Sequence, residues 1–153
     1  MEKIEKIATI LQNYGFKQSC QSNDAVSNSE YCLSLALLKN HEQSSKLFAI
    51  RKIHFSNKWH DEFLTQVQTI VIGKDESLAS AKQLALDVIQ KYYSTLGNIE
   101  IKSEYIENLS PSIEILRNGT NLCSCGFLRD NIKNELQLNN LNVIVVSFIL
   151  ERF

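Results

Sequence analysis

The longest regular alternation of apolar and polar positions runs from Phe63 to Tyr93. Gln66, Gln68, Ile70 and Ile72 alternate with Val67, Thr69 and Val71. A period of two in a stretch rich in β-branched residues predicts a strand. Gly73-Lys74-Asp75 breaks that pattern, as turn residues do. The period then changes: Leu78, Ala81, Ala85, Val88, Ile89, Tyr92 and Leu96 recur at helical spacing. This predicts an amphipathic helix over 76–95, with Asp75 as its cap and Gly97 where it stops.

The same reading extends along the chain. Ile4, Ile7, Ala8, Leu11 and Tyr14 share one face, predicting a helix over 2–14 that Gly15 ends. Residues 18–28 are polar and without a period, and read as a mobile loop. Residues 30–38 and 47–55 read as two strands of a hairpin across a polar loop. Residues 56–62, with Trp59, read as a loop or short helical turn. Short strands are expected at 98–106 and 112–116, while 118–140 has no clear period. Residues 141–150 are nearly all apolar or β-branched, as in a central strand. The sum is an α+β fold: a mixed or mainly antiparallel sheet of about six strands with two helices packed on one face. Residues 1–153 read as a single domain, with room for an excursion at 118–140.

Composition narrows the classes. The chain has 153 residues, 44% of them hydrophobic, enough for one core that buries roughly 70% of the unfolded surface. Sixteen basic and 17 acidic residues leave a formal charge of −1. That balance argues against a nucleic-acid footprint and so against sequence-specific nucleic-acid binding. The apolar runs are too short to span a bilayer. The first residues, MEKIEKIATILQ, carry two glutamates and no uninterrupted apolar core, so no signal peptide is expected. Cys20, Cys32, Cys123 and Cys125 are then expected as free thiols.

Candidate chemistry is sparse. Cys123 and Cys125 with His54 and His60 would suffice for tetrahedral zinc. One intervening residue is too few for a metal knuckle, and on a strand the two thiols would lie about 7 Å apart, too far for a relaxed disulfide. Glu100-Ile101-Lys102 has the E-x-K form of a magnesium nuclease strand. The carboxylate partner it needs is not supplied by Asp61, Asp75 or Asp87, which fall on a loop, a turn and a helix. Gly73-Lys74 lacks the upstream glycine of a phosphate loop. No catalytic residue, metal or cofactor is therefore expected. Trp59, His60 and Phe63 cluster before the central strand, either as packing or as anchors of a protein contact.

Ile70-Val71-Ile72-Gly73-Lys74-Asp75 followed by Ala81-Lys82-Gln83-Leu84-Ala85, then Leu128-Arg129-Asp130 and an apolar last strand over 142–151, resembles the tail-terminator (minor capsid, tail-completion) proteins of long-tailed bacteriophages. The resemblance implies a virion structural protein, not an enzyme. Such proteins close a hexameric ring on the head-proximal end of the tail tube, stop its growth and offer the head–tail joining surface. It implies a homo-oligomer, with the tail tube protein and the head–tail connector protein as partners. It places the protein in the tail or neck of the virion, after assembly in the bacterial host cytoplasm. Trp59, Phe63, Lys74 and Asp75 are the expected interface residues, aromatic anchors and orienting charges. The alternatives are another phage neck or head–tail adaptor, a small α+β protein-binding module, and last a metal-dependent nuclease.

Overall fold

A computed structural model of the chain describes residues 2–27, 45–56, 58, 61–106, 109–138 and 140–153. Helix α1 (Glu2–Asn13) leads into strands β1 (Lys17–Ser27), β2 (Ser45–Ser56) and β3 (Asp61–Gly73). Helix α2 (Leu78–Tyr93) follows, then β4 (Ile99–Ser103), β5 (Leu109–Arg117) and β6 (Thr120–Leu128). A short helix α3 (Asp130–Glu135), β7 (Asn142–Ile149) and a closing turn of 3-10 helix complete the order. The strands form one seven-stranded sheet, ordered β1-β2-β3-β7-β6-β5-β4. Only the β1–β2 pair is parallel; the other five pairs are antiparallel. The α+β class with two main helices is as expected, with one strand more.

The period-two pattern sorts side chains onto two faces. One face carries Phe48, Ile50, Val67, Val71, Ile144, Val146 and Phe148, packed against Ile7 and Leu11 of α1 and Ala81, Ala85, Val88 and Ile89 of α2. On the other face, Ile70, Ile72, Val143 and Val145 are covered by Ile132, Leu138 and Leu141 around α3. That second cover explains the nearly unbroken apolar sequence of β7, which is buried on both sides. It spans only one end of the strands. No helix among the described residues is long and apolar enough to cross a membrane.

Several boundaries differ from the sequence reading, each for a local reason. Helix α2 is capped by Ser77, not Asp75. Ser77 Oγ accepts from the Ser80 N–H at 3.1 Å, and Ser80 Oγ accepts from the Ser77 N–H at 2.7 Å. This reciprocal pair satisfies two otherwise free donors, and Asp75 is left in the preceding turn. The expected loop 18–28 is largely strand β1, held by backbone pairing along β2. A polar sequence can extend when a neighbour supplies the ladder. The expected strand 30–38, with its hairpin, lies outside the described residues. The stretch 118–140 contains β6, which lies between β5 and β7. There Gly126 permits a close approach: a Cβ at that position would stand 2.6 Å from the Pro111 carbonyl oxygen and 2.9 Å from Ser112 Cβ.

Candidate functional site

The sheet face opposite α1 and α2 changes character along its strands. Past Ile70 and Val145, the apolar cover of α3 gives way to polar side chains. Partners in register point to the same side. Ala49 of β2 faces Gln68 of β3, which faces Ser147 of β7, then Ser124 of β6 and Glu114 of β5. In the neighbouring row, Arg51 faces Gln66, which faces Ile149. Gln68, Ser147 and Ser124 make a polar floor on this face, with Ala49 and Glu114 at its two ends.

One border is cationic. Arg51 is almost fully buried, 1% exposed, and its Nε donates to Gln66 Oε1 at 2.7 Å. Beside it stands Gln68, 0% exposed. Among the described residues, neither the Oε1 nor the Nε2 of Gln68 has a hydrogen-bond partner. A buried polar group left so costs about 1–3 kcal/mol, and natural structures hold few of them.

The opposite border is acidic. Ser124 Oγ donates to Glu104 Oε2 at 2.9 Å, and Asn121 Nδ2 donates to Glu114 Oε2 at 2.7 Å. Burial pushes the Glu104 carboxyl above the usual carboxylate range. The Ser124 hydrogen bond opposes this, the charge of Glu114 adds to it, and Arg152 pulls it back. Arg152 itself donates to the Asn121 carbonyl at 3.4 Å. The face therefore combines a buried guanidinium, an unsatisfied carboxamide, two hydroxyls and two carboxylates.

The whole fold can be compared with solved structures once this geometry is in place. A crystal structure of pyrrolysyl-tRNA synthetase from Desulfitobacterium hafniense superposes with a TM-score of 0.72 at 14% identity. A second structure, of PylSc from the same organism, also a pyrrolysyl tRNA synthetase, gives 0.69 at 14% identity. Both alignments cover 99% of this chain. The fold of this chain therefore resembles that of these synthetase structures. The chain spans 66% of the length of those synthetase chains. No family model matches the sequence, and no curated protein matches it at a significant level.

This likeness overturns the tail-terminator resemblance and the tube-capping, head–tail joining function drawn from it. What carried the resemblance, Ile70 to Ala85 with Leu128-Arg129-Asp130 and the apolar last strand, is a strand–turn–helix unit, a turn into α3, and β7. Each is a local arrangement open to many α+β sheets, whereas the synthetase match covers nearly the entire chain. The tube and connector partners rested on the same resemblance.

The residues singled out from sequence are scattered. Trp59 and His60 lie outside the described residues. Phe63, 56% exposed, sits near one end of β3. Its ring stacks on His54 at 4.5 Å, and His54 Nε2 contacts Asp61 Oδ1. Lys74 and Asp75 are exposed in the turn at the other end of that strand, about 35 Å away for an extended chain. Cys123 and Cys125 are buried free thiols on the helix-covered face. Burial pushes Cys125 up to about 12, with Lys82 opposing. Cys123 is raised well above its usual value by burial, then by Cys125 and Glu104. Among the described residues, no three His, Cys, Asp or Glu side chains gather as metal ligands. Lys102 and Glu100 form an exposed ion pair of 3.7 Å on β4, and Asp87 lies on α2, accepting from Gln83.

The polar floor was missed by the sequence reading. One signal for it existed. Gln66 and Gln68 fall on the same side of β3 as Ile70 and Ile72, so a single strand face is half polar and half apolar.

Proposed function

We propose that this chain is the sheet-bearing part of a synthetase-type domain, and that its helix-free polar face binds an amino-acid-like ligand. Gln68 reads the ligand's amide or carboxyl group, and Arg51 favours an anionic group beside it. Joining a carboxylic acid to another group in water requires an activated carboxyl, for which a nucleoside triphosphate is the ordinary source. ATP is therefore the second ligand of this reading. The observation that carries it is Gln68: a fully buried carboxamide, without a hydrogen-bond partner among the described residues at either end, on the face opposite α1 and α2. Ligand sites commonly combine an apolar wall with a few converging polar groups, and the Ile70–Val145 end of this face supplies the wall.

The test is a titration of protein carrying 15N in its glutamine side chains. ATP with magnesium and a mixture of the twenty common L-amino acids are added separately and together. The Gln68 amide signals, assigned by their loss in Gln68→Met, should shift and saturate. Calorimetric affinity for the active component should fall about tenfold or more in Gln68→Met, as befits loss of a buried hydrogen bond. If neither addition moves those signals at millimolar concentration, the reading is wrong.

A further inference from the structure

The last strand of the sheet offers a second surface, its outer edge, beside the polar floor. Strand β4 pairs with β5 on one side and, among the described residues, ends the sheet on the other. Its pairing places Lys102 opposite Glu114, and Glu104 N–H donates to the Ser112 carbonyl at 3.1 Å. Hydrogen-bonded positions alternate along an antiparallel ladder. Glu100, Lys102 and Glu104 therefore direct their backbone groups toward β5. Ile99, Ile101 and Ser103 direct theirs outward. Glu100, Ile101, Lys102 and Ser103 are all exposed. Three large apolar side chains are exposed among the described residues, and two of them, Ile101 at 41% and Tyr105 at 81%, belong to this edge.

An open edge of this kind is a template for another strand. Charges usually guard it, and here their order matters. Glu100 and Lys102 flank Ile101 with opposite sign. A second copy of β4 laid antiparallel about a two-fold axis through Ile101 puts Glu100 of each copy opposite Lys102 of the other. Ile101 then meets Ile101 on the opposite face, and Ile99 meets Ser103. The outward N–H and C=O groups of residues 99, 101 and 103 all find partners. No like charges face one another, which cross-strand pairing penalises.

We propose that β4 is a self-pairing edge through which two copies of this chain join their sheets. The contact is isologous, so it closes at a dimer. Five residues a side make a small interface, and the dimer is weak and concentration-dependent. This inference does not depend on the ligand-binding reading, which is argued from Gln68 of β3 and Arg51 of β2.

Sedimentation velocity over about 5 μM to about 500 μM, the range suited to a small contact, tests it. The intact chain should move from monomer toward dimer as concentration rises. Glu100→Lys alone, or Lys102→Glu alone, sets like charges opposite each other twice by symmetry and should weaken association about tenfold or more. Both sites are exposed, so each variant should stay folded, with Lys102→Glu melting somewhat lower because it faces Glu114. The double variant Glu100→Lys with Lys102→Glu restores the opposite-sign order and should recover association to within about threefold of the intact chain. A chain that stays monomeric throughout overturns the proposal. So does a dimer indifferent to the single reversals, or a double variant no better than the singles.

Discussion

Replacing Gln68 by methionine separates stability from binding in one experiment. The two side chains have similar length and volume, so the change removes polarity without opening a cavity. Gln68 is 0% exposed, and neither end of its amide is hydrogen-bonded among the described residues. Its register neighbours are Ala49 and Ser147, both small, so the longer thioether meets no bulky side chain across the strands. The unpaired amide costs the fold about 1–3 kcal/mol, and Met removes that cost. For a domain of this length, each kcal/mol moves the midpoint by about 3 °C. Gln68→Met should therefore melt about 3–9 °C higher than the parent in calorimetry at neutral pH, while losing ligand affinity. Gain of stability with loss of function is the mark of a site held ready at the expense of the fold. A midpoint lower than the parent's by more than about 2 °C would show that the amide is paired in solution and serves the structure. The ligand argument built on Gln68 would then fall.

Gly126→Ala should destabilise the domain by about 2 kcal/mol or more, a drop near 6 °C, because the new Cβ would stand 2.6 Å from the Pro111 carbonyl oxygen. An unchanged midpoint would show that the β5–β6 approach is loose. The Cys123 and Cys125 thiols should resist a thiol reagent in the folded protein near neutral pH and react once it is unfolded. Their sign with pH follows from the raised values. The unfolded thiol ionises near 9.0 and the folded Cys125 only at about 12, so above pH 9 the unfolded state alone sheds its proton. The contribution of the buried thiol is complete below pH 9 and declines as pH rises toward 12. Denaturant midpoints measured from pH 8 to pH 10 should fall, and flat midpoints in the parent would contradict the buried assignment.

What the sequence determined by itself was local. Helices α1 and α2 were legible because an apolar stripe at helical spacing needs only residues within a few turns of one another. The strand cores of β3 and β7 were legible for the same reason, from alternation in one and an unbroken apolar run in the other. The Ser77–Ser80 cap was equally local, yet the nearby Asp75 competed for the role, and backbone geometry chose between them. Strand β1 carried no such signal, since its order comes from pairing with β2 rather than from its own side chains. Strand β6, with its cysteines, serine and glycine, is made a strand by neighbours on both sides. The tail-terminator resemblance leaned on a strand–turn–helix unit, an Arg129-Asp130 turn and an apolar last strand, and went astray because such local pieces do not specify the sheet around them. The polar floor lay furthest from the sequence's reach. Arg51, Gln68, Ser124 and Ser147 come from four different strands, and no stretch of chain holds them together. Their meeting depends on strand order and register, which long-range hydrogen bonding and burial decide only when the whole chain has folded.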